Sequence, residues 1–285
     1  MAIAADSGLQ QQLVSKHLPG GLHIGSHAKQ GGPDNEQLLA QDGYIMWHDG
    51  DLRTAVWTAH KLIGDEVTAG DGKDRINCFR TDPRLNADHA ANKSDYDEPV
   101  FDQGHMTNDR DLRDDAVEQM NTYVLSNMSA QHCRLNRGIW LTLEYLGRDW
   151  AKAYDVIYIT NGAIFDFNSR DARDKDKSAA RMGSRNQKGR VAVPSHYYKN
   201  FMRKEDGQWL SISFVVENHN GPRGRAWADV GPHVMAAITT MDAIEERSEV
   251  SLHPSIDRAQ ITESINGAGW VLNGTKDNLE TGCPS

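Results

Sequence analysis

The chain has 285 residues, 38% of them hydrophobic and 25% charged, with 25 glycines and 9 prolines. That profile describes a soluble globular protein with enough chain to bury a large core, and it excludes a disordered or fibrous one. The net charge of −9 excludes a protein that coats nucleic acid by bulk electrostatics, because phosphate binding is driven by Lys and Arg displacing counterions.

Residues 1–40, rich in Gly, Gln and His without periodicity, read as an irregular N-terminal arm, and residues 41–285 as one domain. The first residues lack the basic and apolar segments of an export signal, although the small-residue string 2–5 fits a mature start. Segments 44–48 and 54–60 flank Asp49-Gly50-Asp51 and predict a hairpin. Segment 64–73 is turn-rich, and Asp82-Pro83 marks a break. Segment 100–105, Val-Phe-Asp-Gln-Gly-His, predicts a short strand with a histidine at its end. The acidic run 109–118 reads as a surface loop entering a helix, and 123–127 as a second extended segment. From 135 to 154, Ile139, Trp140, Leu143, Leu146 and Trp150 recur at helical spacing, which makes Trp140 a core residue. Segment 156–160 predicts a buried strand ending in an Asn161-Gly162 turn. Segments 191–199 and 209–216 predict two more strands joined near Glu205-Asp206-Gly207, and 241–247 a short helix. No apolar run reaches the ~20 residues that span a bilayer, so no membrane partner is expected.

From Arg173 to Lys204 the chain carries ten basic residues against Asp174 and Asp176. This stretch reads either as a solvated loop or as a positive face on an acidic molecule, with Arg185 and Lys188 as candidate substrate contacts. The three cysteines, Cys78, Cys133 and Cys283, form no CxxC pair and argue against a thiolate zinc site. Either Cys78 and Cys133 pair and leave Cys283 free in the tail, or all three are thiols. His89, His132 and His196 sit in no metal-binding spacing and read as structural or surface groups.

The chemical signal lies in Asp102-Gln103-Gly104-His105, Ser126-Asn127-Met128, Gln131, Asn136-Arg137-Gly138, Trp140 and Glu144. On a helix turning about 100° per residue, positions i, i+4 and i+8 lie within about 80° of one another, so Asn136, Trp140 and Glu144 share a face. Asn136 also fits a helix N-cap near Leu135. Phosphodiester hydrolysis needs a base to activate water, a cation to neutralise developing charge, and groups that align the nucleophile. A histidine suits the first role, and an amide oxygen is a hard neutral ligand for Mg²⁺.

These fragments, spread from about residue 44 to 247, resemble the DNA/RNA non-specific endonucleases. The resemblance implies an α+β fold, a mixed or antiparallel sheet with helices, around a ββα-metal core. It implies His105 as general base, Asn136 as ligand of Mg²⁺, with Mn²⁺ as an alternative ion, and Glu144 as the carboxylate that orients metal-bound water. Asn127 matches a supporting polar residue, Asp102 the carboxylate that opens the motif, and Gly104 a place for a tight turn before the base. Gln103 stands where the family usually has arginine, so one phosphate contact loses its charge, and Arg137 is a further candidate contact. The transition-state arginine falls on Arg75 or Arg80, with Arg75 favoured for its place before Cys78 and Phe79. The expected partners are DNA and RNA, and a homodimer is worth testing. The expected location is secreted or periplasmic, with a mitochondrial one open. The competing readings are a nuclease restricted to DNA and a catalytically silent nucleic-acid-binding relative.

Overall fold

The computed structural model describes residues 7–21, 24–25, 35–165, 181–182, 190–219, 221, 226–273 and 283. The chain opens with a helix, α1 (Ser7–His17), and a two-residue strand, β1 (Ile24–Gly25). An antiparallel run follows, β2 (Glu36–Ala40), β3 (Ile45–Asp49) and β4 (Thr54–Ile63), ending in a short helix, α2 (Gly64–Gly70). Next come β5 (Phe101–His105), α3 (Ala116–Asn121) and β6 (Met128–His132). The central helix, α4 (Leu141–Tyr154), is preceded by a π-helical turn, Asn136–Trp140, and a single α-turn, Cys133–Leu135. The long strands β7 (Val156–Ile164), β8 (His196–Glu205) and β9 (Gln208–Glu217) then lead to α5 (Trp227–Ala236), β10 (Ile238–Thr239) and α6 (Met241–Ser248). Two short strands, β11 (Val250–Ser251) and β12 (Ile261–Ser264), close the described chain.

Seven strands pair in the order β10-β9-β8-β7-β4-β3-β2. All these pairs are antiparallel, and β12 adds a parallel pair along β9, which makes the sheet mixed. Strand alternation decides which face each side chain covers. On β8, Tyr197 and Phe201 join the apolar cluster beneath α4, with Leu143, Leu146 and Trp150, while Tyr198 joins the opposite cluster with Leu13, Met241 and Ile244. Helices thus cover both faces. A separate antiparallel ribbon, β5 with β6, stands beside the start of the central helix and pairs His105 with Met128.

Several predicted boundaries move, each for a reason in the tertiary packing. The N-terminal arm is not irregular throughout: α1 lies within residues 1–40 and buries Leu13, and β2 pairs with β3. The turn-rich segment 64–73 contains α2, which tucks Val67 into the core and starts with Asp65 and Glu66, charges that favour a helix N-terminus. The segment 123–127 holds a 3₁₀ turn, Leu125–Asn127, and the strand begins only at Met128. Asn161-Gly162 does not turn. Asn161 donates to Thr58 Oγ1 at 3.1 Å inside the sheet, and a Cβ on Gly162 would fall 2.0 Å from the Tyr198 ring, so strand packing overrides the local turn signal. The acidic run is not a surface loop either, because Asp109 and Asp111 are buried.

The cysteine pairing also differs from either reading. Cys133 and Cys283 form the disulfide and Cys78 is free. Cys133 is fully buried at the helix start with the Cys283 Cα 5.6 Å away, a bonding separation, whereas Cys78 lies near the Met120 carbonyl. Among the described residues of the basic stretch, Lys199 and Arg203 are buried and Arg190 pairs with Asp97 at 3.1 Å; Arg173, Lys175 and Lys177 lie outside the described residues. Arg185 and Lys188 lie outside the described residues. Among the described residues no helix is long and apolar enough to cross a membrane.

Candidate active site

A cleft of about 790 Å³ opens where β5 meets the central helix, and Arg75, Asp102, Gln103, His105, Asn136, Arg137 and Glu144 all border it. Three stretches of chain, within 75–79, 102–113 and 136–148, thus converge on one place. The π-helical turn contributes to this convergence. A π turn absorbs one extra residue, so eight residues advance roughly as seven do in an α-helix, about 20° short of two full turns. Asn136 and Glu144 therefore line up more closely than the 80° predicted for an uninterrupted helix. Trp140, between them, is fully buried and donates its indole N–H to the His105 carbonyl at 3.2 Å, fixing the strand end against the helix. Asn136 is not the helix cap; His132 takes that role, its Nδ1 accepting from the Arg134 N–H at 3.2 Å.

Asp102 sets the orientation of two neighbours. It accepts from Asn136 Nδ2 at 2.8 Å and from Arg137 Nε and Nη2 at 2.9 and 2.7 Å. Spending the Asn136 N–H on a carboxylate leaves its carbonyl oxygen as the amide's other end, the atom type a hard cation takes. Gly104 is required for space rather than for a turn. A Cβ there would lie 2.1 Å from Gln131 Oε1 on the paired strand. Asn127, fully buried, accepts from the Thr107 N–H at 3.0 Å and donates to the Thr107 and Thr122 carbonyls at 2.9 and 2.8 Å. It shapes the turn after His105 from behind.

His105 is 7% exposed, and its Nε2 is buried without a hydrogen-bond partner among the described residues. Burial holds its pKa down at about 4, Asp109 pulls it up and Arg75 adds to the depression. The imidazole is therefore neutral near pH 7 and able to accept a proton. Burial likewise pushes the Glu144 carboxyl up and Lys199 down, each opposed by the other's charge, and Asn108 hydrogen-bonds Glu144.

The two candidate arginines separate cleanly. Arg75 borders the cleft and donates from Nε to the Tyr123 hydroxyl at 2.7 Å. Arg80 is committed elsewhere, donating to the Met120 carbonyl at 2.6 Å and to Asn121 Oδ1 at 3.2 Å.

The DNA/RNA non-specific endonuclease family matches residues 26–254, four-fifths of the chain and all of the elements that build the cleft. The chain belongs to this family. It is therefore a nuclease, a hydrolytic enzyme whose substrate is nucleic acid, in a family that is generally metal-dependent. It is 30% identical to mitochondrial endonuclease G of Homo sapiens over 234 residues, 81% of this chain and 74% of that protein. It is also 30% identical to nuclease C1 of Cunninghamella echinulata var. echinulata over 186 residues, 64% of this chain and 71% of that protein. A crystal structure of EndoG in complex with EndoGI superposes with a TM-score of 0.69 at 22% identity, covering 91% of this chain and 97% of that one, so the α+β fold is shared.

Other residues of this endonuclease site escaped sequence reasoning. Tyr123 meets the His105 ring edge-on at 5.0 Å and Phe79 at 5.0 Å. Beneath Glu144, Arg148 bonds Asp111 at 2.8 Å and His60 meets the same carboxylate at 3.1 Å. Lys199 lies 4.0 Å from the centre of the Trp140 ring. One signal was available. Lys199 alternates with Tyr197 and Phe201 on the inward face of β8, and a charge at such a position needs a buried partner.

Proposed function

We propose that this endonuclease cleaves DNA and RNA by a single Mg²⁺-assisted mechanism in the cleft, with Mn²⁺ as a substitute ion and His105 as the general base. The observation that carries this reading is the convergence of a neutral histidine, an oriented amide, a buried carboxylate and an arginine on one cleft. The donor set fits a hard, hydrated cation: Asn136 Oδ1 would hold it, and Asp102 and Glu144 border the same space. When bound, Mg²⁺ supplies positive charge against the phosphate and the leaving 3′ oxygen. His105 accepts the proton of the attacking water; an incoming phosphodiester anion raises its basicity from the depressed starting value. Arg75 contributes charge to the equatorial oxygens. Glu144 holds water in line, and Asp102 keeps Asn136 and Arg137 in register. Arg137 and Gln103 would meet neighbouring phosphates, which makes binding salt-sensitive and sequence-tolerant.

The Cys133–Cys283 bond supports an oxidising compartment, secreted or periplasmic, for the mature protein.

The test is cleavage of plasmid DNA and of RNA by wild type and by His105→Ala, with EDTA as control. Loss of about 10²–10⁴ in rate on both substrates is the general-base expectation. Wild-type cleavage in EDTA, or a His105→Ala variant within tenfold of wild type, would overturn the mechanism.

A further inference from the structure

Arg75 sits on a segment without helix or strand, and residues 71–77 are all exposed. A long cation on such a segment would sample many positions, yet a transition-state contact requires one. The structure shows what restrains it. Three consecutive residues of the segment are each gripped by a different side chain. Arg113 Nη1 donates to the Lys73 carbonyl at 3.1 Å, Gln119 Nε2 to the Asp74 carbonyl at 3.2 Å, and the Tyr123 hydroxyl accepts from Arg75 Nε at 2.7 Å. All three grips converge on one carboxylate. Asp109 Oδ2 accepts from Arg113 Nη2 and Nε at 3.0 and 3.2 Å and from Gln119 Nε2 at 3.3 Å, and its charge helps hold the proton on the Tyr123 hydroxyl.

We propose that Asp109 and Tyr123 are positioning residues for the endonuclease reaction, holding the Arg75 guanidinium over the cleft through a fan of side chains centred on the Asp109 carboxylate. Neither is catalytic in this assignment. Tyr123 works from behind the wall: its hydroxyl fixes Arg75 while its ring edge packs on His105 at 5.0 Å. The bond to Nε restrains one edge of the guanidinium, and Arg75 borders the same cleft as His105. Asp109 is buried at the cleft wall and its Oδ2 is held by Arg113 and Gln119, so the Arg113 charge beside it offsets its repulsion of phosphate.

The inference rests on the role given to Arg75 above, and a double-mutant cycle separates the two. Tyr123→Phe keeps the ring against His105 and removes only the hydroxyl. Its kcat should fall about tenfold, the value of one hydrogen bond to a charged group, with KM within about twofold and an unchanged thermal midpoint. In an Arg75→Ala background the same change should alter kcat by less than about twofold, since the group being positioned is gone. Asp109→Asn should behave likewise. A crippled Arg75→Ala beside a fully active Tyr123→Phe would overturn the positioning role alone, as would equal losses from Tyr123→Phe in both backgrounds. A fully active Arg75→Ala would remove the Arg75 assignment and the positioning role with it.

Discussion

On the face of the sheet covered by α1 and α6, Leu13, Trp57, Tyr198, Met241 and Ile244 interlock as an apolar cluster. On the face covered by α4, the cluster of Leu143, Leu146, Trp150 and Phe201 shares its space with Lys199, Glu144, Arg148, Asp111 and His60, all buried. Replacing such charges by well-packed apolar groups is often neutral or stabilising in proteins, so stability alone does not account for them. Glu144 and Arg148 of this set border the cleft, with Asp111, His60 and Lys199 behind them. The first face holds the fold together; the second gives up some of that economy to fix a carboxylate where the chemistry occurs.

The comparison breaks most easily at Lys199. Lys199→Met removes one cation from the buried set, leaves Asn161 Oδ1 without its donor and Glu144 with less compensation, and a buried polar group left unsatisfied costs about 1–3 kcal/mol. Denaturant unfolding should show that loss together with a fall in kcat, because the Asn161 and Glu144 environments are both disturbed. Retained kcat would detach the charges from the site. On the opposite face, Ile244→Ala should cost about 2–5 kcal/mol by cavity formation while leaving kcat per folded molecule unchanged.

The apolar halves of both faces were legible in the sequence, because alternation on β4, β8 and β9 and helical spacing across α4 are local patterns. The site was legible through its motif for the same reason: Asp102 to His105 and Asn136 to Glu144 are contiguous stretches. What stayed hidden depends on distant partners. Asp111 reads as surface acid until Arg148 is brought to it across 37 residues, and Cys133 meets Cys283 across 150. The π turn leaves no composition signal, although it sets the Asn136 and Glu144 register. Sequence spacing already favoured Arg75 over Arg80, but the Tyr123 hydroxyl that holds Arg75 at the cleft lies 48 residues away and was not visible there.

Titration sharpens the comparison from another side. His17, His48 and His253 lie away from the cleft, and burial, the largest cause in each, holds their folded pKa values at about 3; His105 is held at about 4. The unfolded chain takes up these protons near pH 6.5, before the folded one, so their stabilising effect is present above pH 6.5 and lost as pH falls below it. Glu118 and Glu144 are pushed up by burial and act in the opposite sense between about 4.5 and 7. Four histidines against two carboxylates leave a net loss on acidification, about 1.4 kcal/mol per pH unit for each uncompensated proton. Unfolding free energy should therefore change little between pH 7.5 and 6.5, where the two sets offset each other, and fall between pH 6.5 and 5.5. A flat or rising value over that lower interval would mean that the buried carboxylates dominate and that the charged face governs stability after all.

The smallest expected effect is at Gln103, on the open side of the charged region. Both oxygens of its neighbour Asp102 already accept from Arg137, so a new cation at 103 would meet solvent and phosphate rather than a vacant carboxylate. Gln103→Arg should steepen the slope of log affinity against log salt by roughly one phosphate contact and lower KM about threefold at low salt. Its kcat should hold, because no bond links Gln103 to His105, Arg75 or Asn136 among those described. An unchanged salt slope would show that position 103 meets no phosphate. A rise in kcat would instead move it into the group that meets the transition state, and extend the charged region from the buried floor of the cleft to its rim.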